Sequence, residues 1–187
     1  MPPSEPAAAR ARIVHAASMR ASLVGLGALT VAEIANAAST SKSNVVERFG
    51  GLDALRLATI DYATEIFRLE VIDPAGGVPP GRERLLALCE QWMDYVKRRV
   101  FPGGCYLSRV AAESAGMDGT IPAAVREAIK TWMSVLAEQA ANAGAHDPDQ
   151  LAFELTAIGS FAALDGTPPA LQRARAAFSR TIRGQLG

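Results

Sequence analysis

Apolar residues recur along this chain at steps of three and four, and clusters of Gly and Pro cut the pattern into segments. Ala7 to Val24 is Ala-rich and helix-favouring, and Gly25-Leu26-Gly27 ends it. Thr30 followed by Glu33 is a capping box, in which each side chain satisfies the other's backbone donor, and it opens the short run VAEIANAA. Ser39-Thr40 interrupts that run. Ser41 is placed to cap a third short helix reaching Arg48 or Phe49, with Gly50-Gly51 behind it. Asp53 is placed to cap a fourth, with Leu55, Tyr62, Ile66 and Leu69 at helical spacing.

DPAGGVPPG (73–81) predicts a break, a loop or hinge inside a larger body. Beyond it, Leu85, Cys89, Trp92, Val96 and Val100 share one helical face. PGGC resets the chain, and YLSRVAAESAG makes a short helix. Ile121, Val125, Ile129, Trp132 and Leu136 form the stripe of a long one, with Pro122 suited to its first turn. Two more helical segments, DPDQLAFELTAIGSFAALDG and PPALQRARAAFSRTIRGQL, complete the chain. No segment alternates as a strand would, and no internal repeat is present. The expectation is an all-α protein of about nine helices.

Composition narrows the class. At 187 residues, 49% hydrophobic and 20% charged, the chain can bury a core with no disulfide or metal staple. The formal net charge of +0 excludes a global basic field. Residues 1–56 are only mildly basic, with Arg10, Arg12, Arg20, Lys42, Arg48 and Arg56 against Glu5, Glu33, Glu47 and Asp53. Cys89 and Cys105 read as buried free thiols rather than a disulfide framework. No apolar run approaches the ~20 residues needed to span a bilayer, and MPPSEPAAAR lacks the form of a signal peptide. The expected location is cytoplasmic, with no membrane partner.

The stretch STSKSNVVERFGG raises the functional question. A short capped helix, a tight break and a second short capped helix make the pattern of a helix-turn-helix. There the second helix enters the major groove and presents its N-terminal residues to base edges. Its start must be polar and its far side apolar, as Ser41, Lys42, Ser43 and Asn44 ahead of Val45 and Phe49 are. Lys suits a phosphate or guanine, Asn an adenine, and a helix N-terminus attracts phosphate. A merely polar surface helix would read the same way.

The run IANAASTSKSNVVERFGGLDAL resembles the reading head of the TetR family of bacterial one-component regulators. Ile34, Ala35, Ala38, Ser41, Lys42, Val45, Phe49 and Leu55 fall on or near that family's pattern without a gap. Upstream, Ile13, Ala16, Ala17, Gly25, Thr30 and Val31 match its lead-in. The departures are Ser39 for the turn glycine, Thr40 for an apolar turn residue, Val46 for a phosphate-touching Tyr and Leu52 for a Lys. Arg20-Ala21 replaces a Leu-Phe pair. They point to weaker or more salt-sensitive DNA binding, or to compensation by Arg48 and Arg10.

The resemblance implies a mobile tail (1–6), a helix-turn-helix domain (7–54) and a helical effector-binding and dimerisation domain (55–187). It implies contacts from Thr30, Ser41, Lys42, Ser43, Asn44 and Arg48 to a palindromic double-stranded operator, read by a homodimer whose recognition helices stand roughly 34 Å apart. The dimer face falls on Leu151, Leu155, Ile158, Phe161 and Ala162 with Leu171, Ala174, Phe178 and Ile182, residues that serve equally as an internal core. The pocket for a small apolar or aromatic effector is assigned to Trp92, Met93, Val96, Cys105, Glu113, Met117, Trp132, Met133 and Leu136; at helical spacing the apolar ones also read as core, and Glu113, a single acid, reads either as a partner for a cationic ligand group or as solvated or salt-bridged. The expected role is a repressor released by that effector.

An enzyme is the competing class. His15 and His146 are isolated, with no metal spacing, no E-x-x-H and no phosphate loop, so no catalytic residue, metal or cofactor is assigned. Cys105 at a helix start is either a reactive thiol or a buried structural one. A third reading is a helical ligand- or partner-binding protein with weakened or lost DNA binding, which Val46 and Leu52 favour.

Overall fold

In a computed structural model of the chain, residues 5–186 are described, and every regular element among them is helical. The order is α1 (Glu5–Val24), α2 (Val31–Ala37), α3 (Lys42–Phe49) and α4 (Leu52–Phe67), then α5 (Asp73–Ala75), α6 (Arg82–Lys97) and α7 (Tyr106–Ser114). After these come α8 (Thr120–Asn142), α9 (Pro148–Asp165) and α10 (Pro168–Gln185). A π-helical turn, Arg68–Ile72, joins α4 to α5 in unbroken helical backbone. Counted as one rod, these leave nine rods among the described residues. Residues 1–4 of the expected tail lie outside the description, and Glu5 and Pro6 already belong to α1.

The fourth helix corrects two expectations. Asp53 lies inside its first turn and pairs with Arg56 at 2.9 Å instead of capping it. The helix also runs past the expected break at Asp73 to Ala75. Along this rod Leu55, Ala63, Phe67, Val71 and Ala75 point inward, Tyr62 and Ile66 are half-buried and Leu69 is exposed.

The chain divides into two compact units. The first gathers residues up to Glu65 with Phe101–Val125, so α7 and the start of α4 group with the three N-terminal helices, across the expected partition at 54/55. Here α1 packs on α2 and α7, and fully buried Ala17 and Ala21 keep the approach close. Arg20, where a larger apolar residue was expected, pairs with Glu33 of α2 at 2.9 Å. Thr59 and Tyr106 share a buried hydroxyl pair at 2.7 Å, and burial pushes the Tyr106 phenol well above its ordinary pKa.

The second unit comprises Ile66–Val100 and Arg126 onward. Its α10 packs on α9 and α6, and Arg175 fastens α10 to Glu90 and Asp94 of α6 at 2.6 and 2.7 Å. Phe67, Trp92, Tyr95 and Trp132 form its aromatic centre, with edge-on ring contacts of 5.0 to 6.1 Å. Gly159 admits the Trp92 ring: a Cβ there would stand 2.1 Å from Trp92 Cζ3. Cys89 is buried and free in this unit, its thiol pushed up by burial, and Cys105 is buried and free in the first.

Candidate functional site

The reading head is built from local caps. Thr30 precedes α2 with extended backbone, accepts from Glu33 N–H at 3.3 Å and donates to the Glu33 carboxylate at 2.9 Å. Those bonds, with Arg20, hold the Glu33 carboxyl below the ordinary glutamate range. Ser39 makes the turn at φ 51, the left-handed conformation a glycine adopts freely. Ser41 then caps α3 by accepting from Asn44 N–H at 3.1 Å. Gly50, at φ 71, closes α3, and its N–H donates to Val46 O.

Val45 and Phe49 bury the inner side of α3. Thr30, Ser41, Lys42 and Ser43 are exposed, and Asn44 and Arg48 are half-buried. Within the unit Asn44 donates to Thr40 Oγ1 at 2.6 Å and accepts from Arg48 Nε at 2.8 Å, while Arg48 also donates to Pro6 O at 3.1 Å. Arg10 lies over the Phe49 ring, 4.7 Å from its centroid. Both arginines read as compensating phosphate ligands are thus engaged with the head itself. Val46 is 47% exposed. His15 is exposed, and its Nδ1 lies 2.9 Å from the Tyr62 hydroxyl.

The sequence offers Glu113 to a ligand, to solvent or to a salt bridge. In the structure its carboxylate accepts from Leu26 N–H at 2.7 Å and Gly27 N–H at 2.6 Å, in the connection between α1 and α2. Arg56 holds the same connection from the other side of the peptide, donating to Leu26 O at 3.0 Å and Gly27 O at 3.3 Å. A recess of about 300 Å³ lies beside this clamp, lined by Leu26, Arg56, Val110, Glu113, Met117 and Ile121 among others. Sequence reasoning missed the clamp, because its two halves lie 87 positions apart and no local pattern links them.

The remaining pocket candidates divide between the units. Cys105 belongs with Glu113 and Met117 in the first, and Trp92, Met93, Val96, Trp132, Met133 and Leu136 belong to the second. Trp92, Met93, Val96, Trp132 and Leu136 are buried, and Met133 is half-buried. Of the dimer candidates, Leu151, Leu155, Ala162, Leu171, Ala174, Phe178 and Ile182 are buried inside their own unit, packed where α9 meets α10 and α6. They are core. Phe161 is 75% exposed and Ile158 half-buried, and Phe153 and Leu164, not singled out from sequence, are exposed on the same helix. Among the described residues no group of three potential metal ligands occurs, and no helix is long and apolar enough to cross a membrane.

The profile of the family described as "Tetracyclin repressor-like, C-terminal domain" matches residues 81–178, more than half of the chain. The chain belongs to the TetR family. Solved TetR structures share its fold over nearly the whole length. A TetR transcriptional regulator from Chloroflexus aurantiacus superposes with a TM-score of 0.87 at 22% identity, covering 97% of each chain. A TetR-family regulator from Streptomyces coelicolor gives 0.85 at 21%, covering 96% of each. AibR, solved in complex with isovaleryl coenzyme A and operator DNA, gives 0.74 at 19%, covering 92% of this chain and 97% of its own. At these identities the likeness is one of fold. No curated protein matches the sequence. As a TetR protein the chain is a transcriptional regulator by family, and its all-α architecture is that of its relatives.

Proposed function

We propose that this TetR protein is a homodimeric, operator-binding repressor released by a small, largely apolar effector. The observation that carries the reading is the start of α3. Ser41, Lys42 and Ser43 stand exposed at a capped helix N-terminus whose inner side is anchored by Val45 and Phe49. That is the arrangement a major-groove helix needs. Lys42 takes a phosphate, and Asn44 reads a base once it exchanges its bonds to Thr40 and Arg48 for the groove. AibR, of the same fold, has been solved with both operator DNA and an acyl coenzyme A.

The coupling route in this reading is α4. It carries Arg56, which grips the α1–α2 connection, and Phe67, which stands in the aromatic centre. An effector that binds one setting of α4 better than another shifts the head by that difference in affinity, and DNA disfavours the effector by the same factor.

The test is selection of bound duplexes from a random pool at two salt concentrations. A palindromic site whose binding weakens steeply with salt is the expected result. A second reading, a ligand- or partner-binding protein with weakened DNA binding, draws on Val46 at the place of a phosphate-touching Tyr. It is favoured if no site is enriched at either salt.

A further inference from the structure

Asn44 is placed to read a base, and its carboxamide is already occupied. Its side-chain N–H donates to Thr40 Oγ1 at 2.6 Å, and its carbonyl oxygen accepts from Arg48 Nε at 2.8 Å. Thr40, Asn44 and Arg48 follow one another at steps of four residues, so the two partners take the carboxamide from opposite ends. The chemistry leaves one arrangement. An arginine Nε–H only donates, so the amide atom facing it is the oxygen. The amide nitrogen also only donates, so the Thr40 hydroxyl must accept.

Neither partner is loose. Thr40 N–H donates to Ala35 O at 2.9 Å across the turn that Ser39 makes at φ 51, and Arg48 also donates to Pro6 O at 3.1 Å. Both side chains are half-buried and lie in the same unit as Asn44. Thr40 stands where the TetR pattern has an apolar turn residue, and an apolar side chain there would offer Asn44 no acceptor.

A reader with a resting place discriminates differently from one without. A carboxamide that pairs only with its base is left unsatisfied when the base is wrong, and that penalty sharpens the choice. Asn44 instead stays on Thr40 and Arg48 opposite a wrong base. Opposite adenine, whose edge matches a carboxamide, it must first give those bonds up. The right base is therefore held less tightly by what the resting bonds are worth, while a wrong base leaves nothing unpaired. We infer that Thr40 is a specificity-determining residue of the operator site: its hydroxyl holds Asn44 back from the groove and makes the protein tolerant at the base pair that Asn44 faces. This rests on the operator-binding reading above and adds to it the position at which the operator is read loosely.

The experiment first finds that pair. Full-length wild type and Asn44→Ala are taken through duplex selection from the random pool, and the pair whose preference Asn44→Ala abolishes is the one Asn44 faces. Dissociation constants are then measured for the four duplexes that differ only at that pair, changed in both half-sites, with wild type, Thr40→Val and Thr40→Ser. Valine keeps the shape of threonine, and serine keeps its hydroxyl. Thr40→Val should bind the adenine duplex about fivefold more tightly per half-site, the worth of one net hydrogen bond, and the other duplexes no more tightly. Thr40→Ser should follow wild type. A gain in affinity is the mark of the inference, since a Thr40 that only shaped the turn or held a phosphate would weaken every duplex when replaced. Uniform loss, unchanged affinities, or no pair that depends on Asn44 would each overturn it. The regulator reading is judged on wild type alone: an enriched, salt-sensitive site sustains it whatever Thr40→Val does, and no enriched site sinks both.

Discussion

Ser39 carries a cost that its neighbours do not. At φ 51 its Cβ crowds the backbone in a conformation glycine tolerates, and nothing about the serine side chain is needed to make the turn. Ser39→Gly should therefore stabilise the protein by about 1 kcal/mol, part of the strain relief being offset by the greater freedom of glycine when unfolded. The midpoint of urea denaturation measures it. Glu33 makes a second prediction at this scale. Its carboxyl is held below the ordinary glutamate pKa by the Thr30 hydroxyl first and by Arg20 next. The folded state thus binds the proton less readily than the unfolded state. The stabilisation it brings is complete above the ordinary carboxylate range and is lost as pH falls through the lowered value. Glu33→Gln removes the charge and keeps the shape. The gap between wild type and Glu33→Gln in urea midpoint should be flat from about pH 7 to about pH 5 and close below about pH 4. A gap that persists unchanged into acid would show that the charge is not what stabilises α2.

Among the helices, what was legible is what is local. The caps read from spacing, Thr30 and Ser41, each join a side chain to a backbone N–H three residues on; Asp147 and Thr167 cap α9 and α10 in the same way and were not singled out from sequence. The course of α4 was less legible. The stripe Tyr62, Ile66 and Leu69 lies beside the buried face, which runs through Ala63, Phe67 and Val71, so Leu69 falls outside the core. The grip of α7 on the α1–α2 connection was not legible, because it depends on tertiary placement. Removing it gives an element-scale prediction. Leu26 is buried, so Glu113→Ala leaves its N–H without an acceptor, while Gly27 is exposed and turns to water. The expected loss is about 1–2 kcal/mol, with faster amide hydrogen exchange at Leu26 while the α3 amides exchange as before. Unchanged exchange at Leu26 would mean that Glu113 does not hold the connection.

For the whole molecule, the question is which apolar surface faces a second copy. The family resemblance puts that face on α9 and α10, on Ile158 and Phe161 as well as on Leu155 and Phe178, since a helix buried within its own chain and a helix buried against a partner share one periodicity. Exposure within the chain distinguishes these residues. Phe153, Phe161 and Leu164 stay exposed, and a groove of about 260 Å³ beside Phe161 is lined by Ile158, Ala162, Ala170, Ala174 and Ala177 with Asp165 and Arg173 at its edge. In the homodimer proposed above, a projecting ring next to an apolar groove, flanked by one acid and one base, is the surface a second copy would cover. A two-fold axis would seat Phe161 of each copy in the groove of the other. An exposed aromatic that fills a partner's pocket is the kind of residue that dominates an interface, commonly by 2 kcal/mol or more. Phe161→Asp should therefore raise the dimer dissociation constant about 30-fold or more in sedimentation equilibrium, with helix content unchanged, because the side chain is largely exposed on its own chain. Phe178→Ala is the contrasting case. Its ring is 1% exposed, so the substitution should lower folding stability by about 3–5 kcal/mol, with any dissociation following from unfolding. If the two variants exchanged these behaviours, the partner surface would lie elsewhere on the molecule.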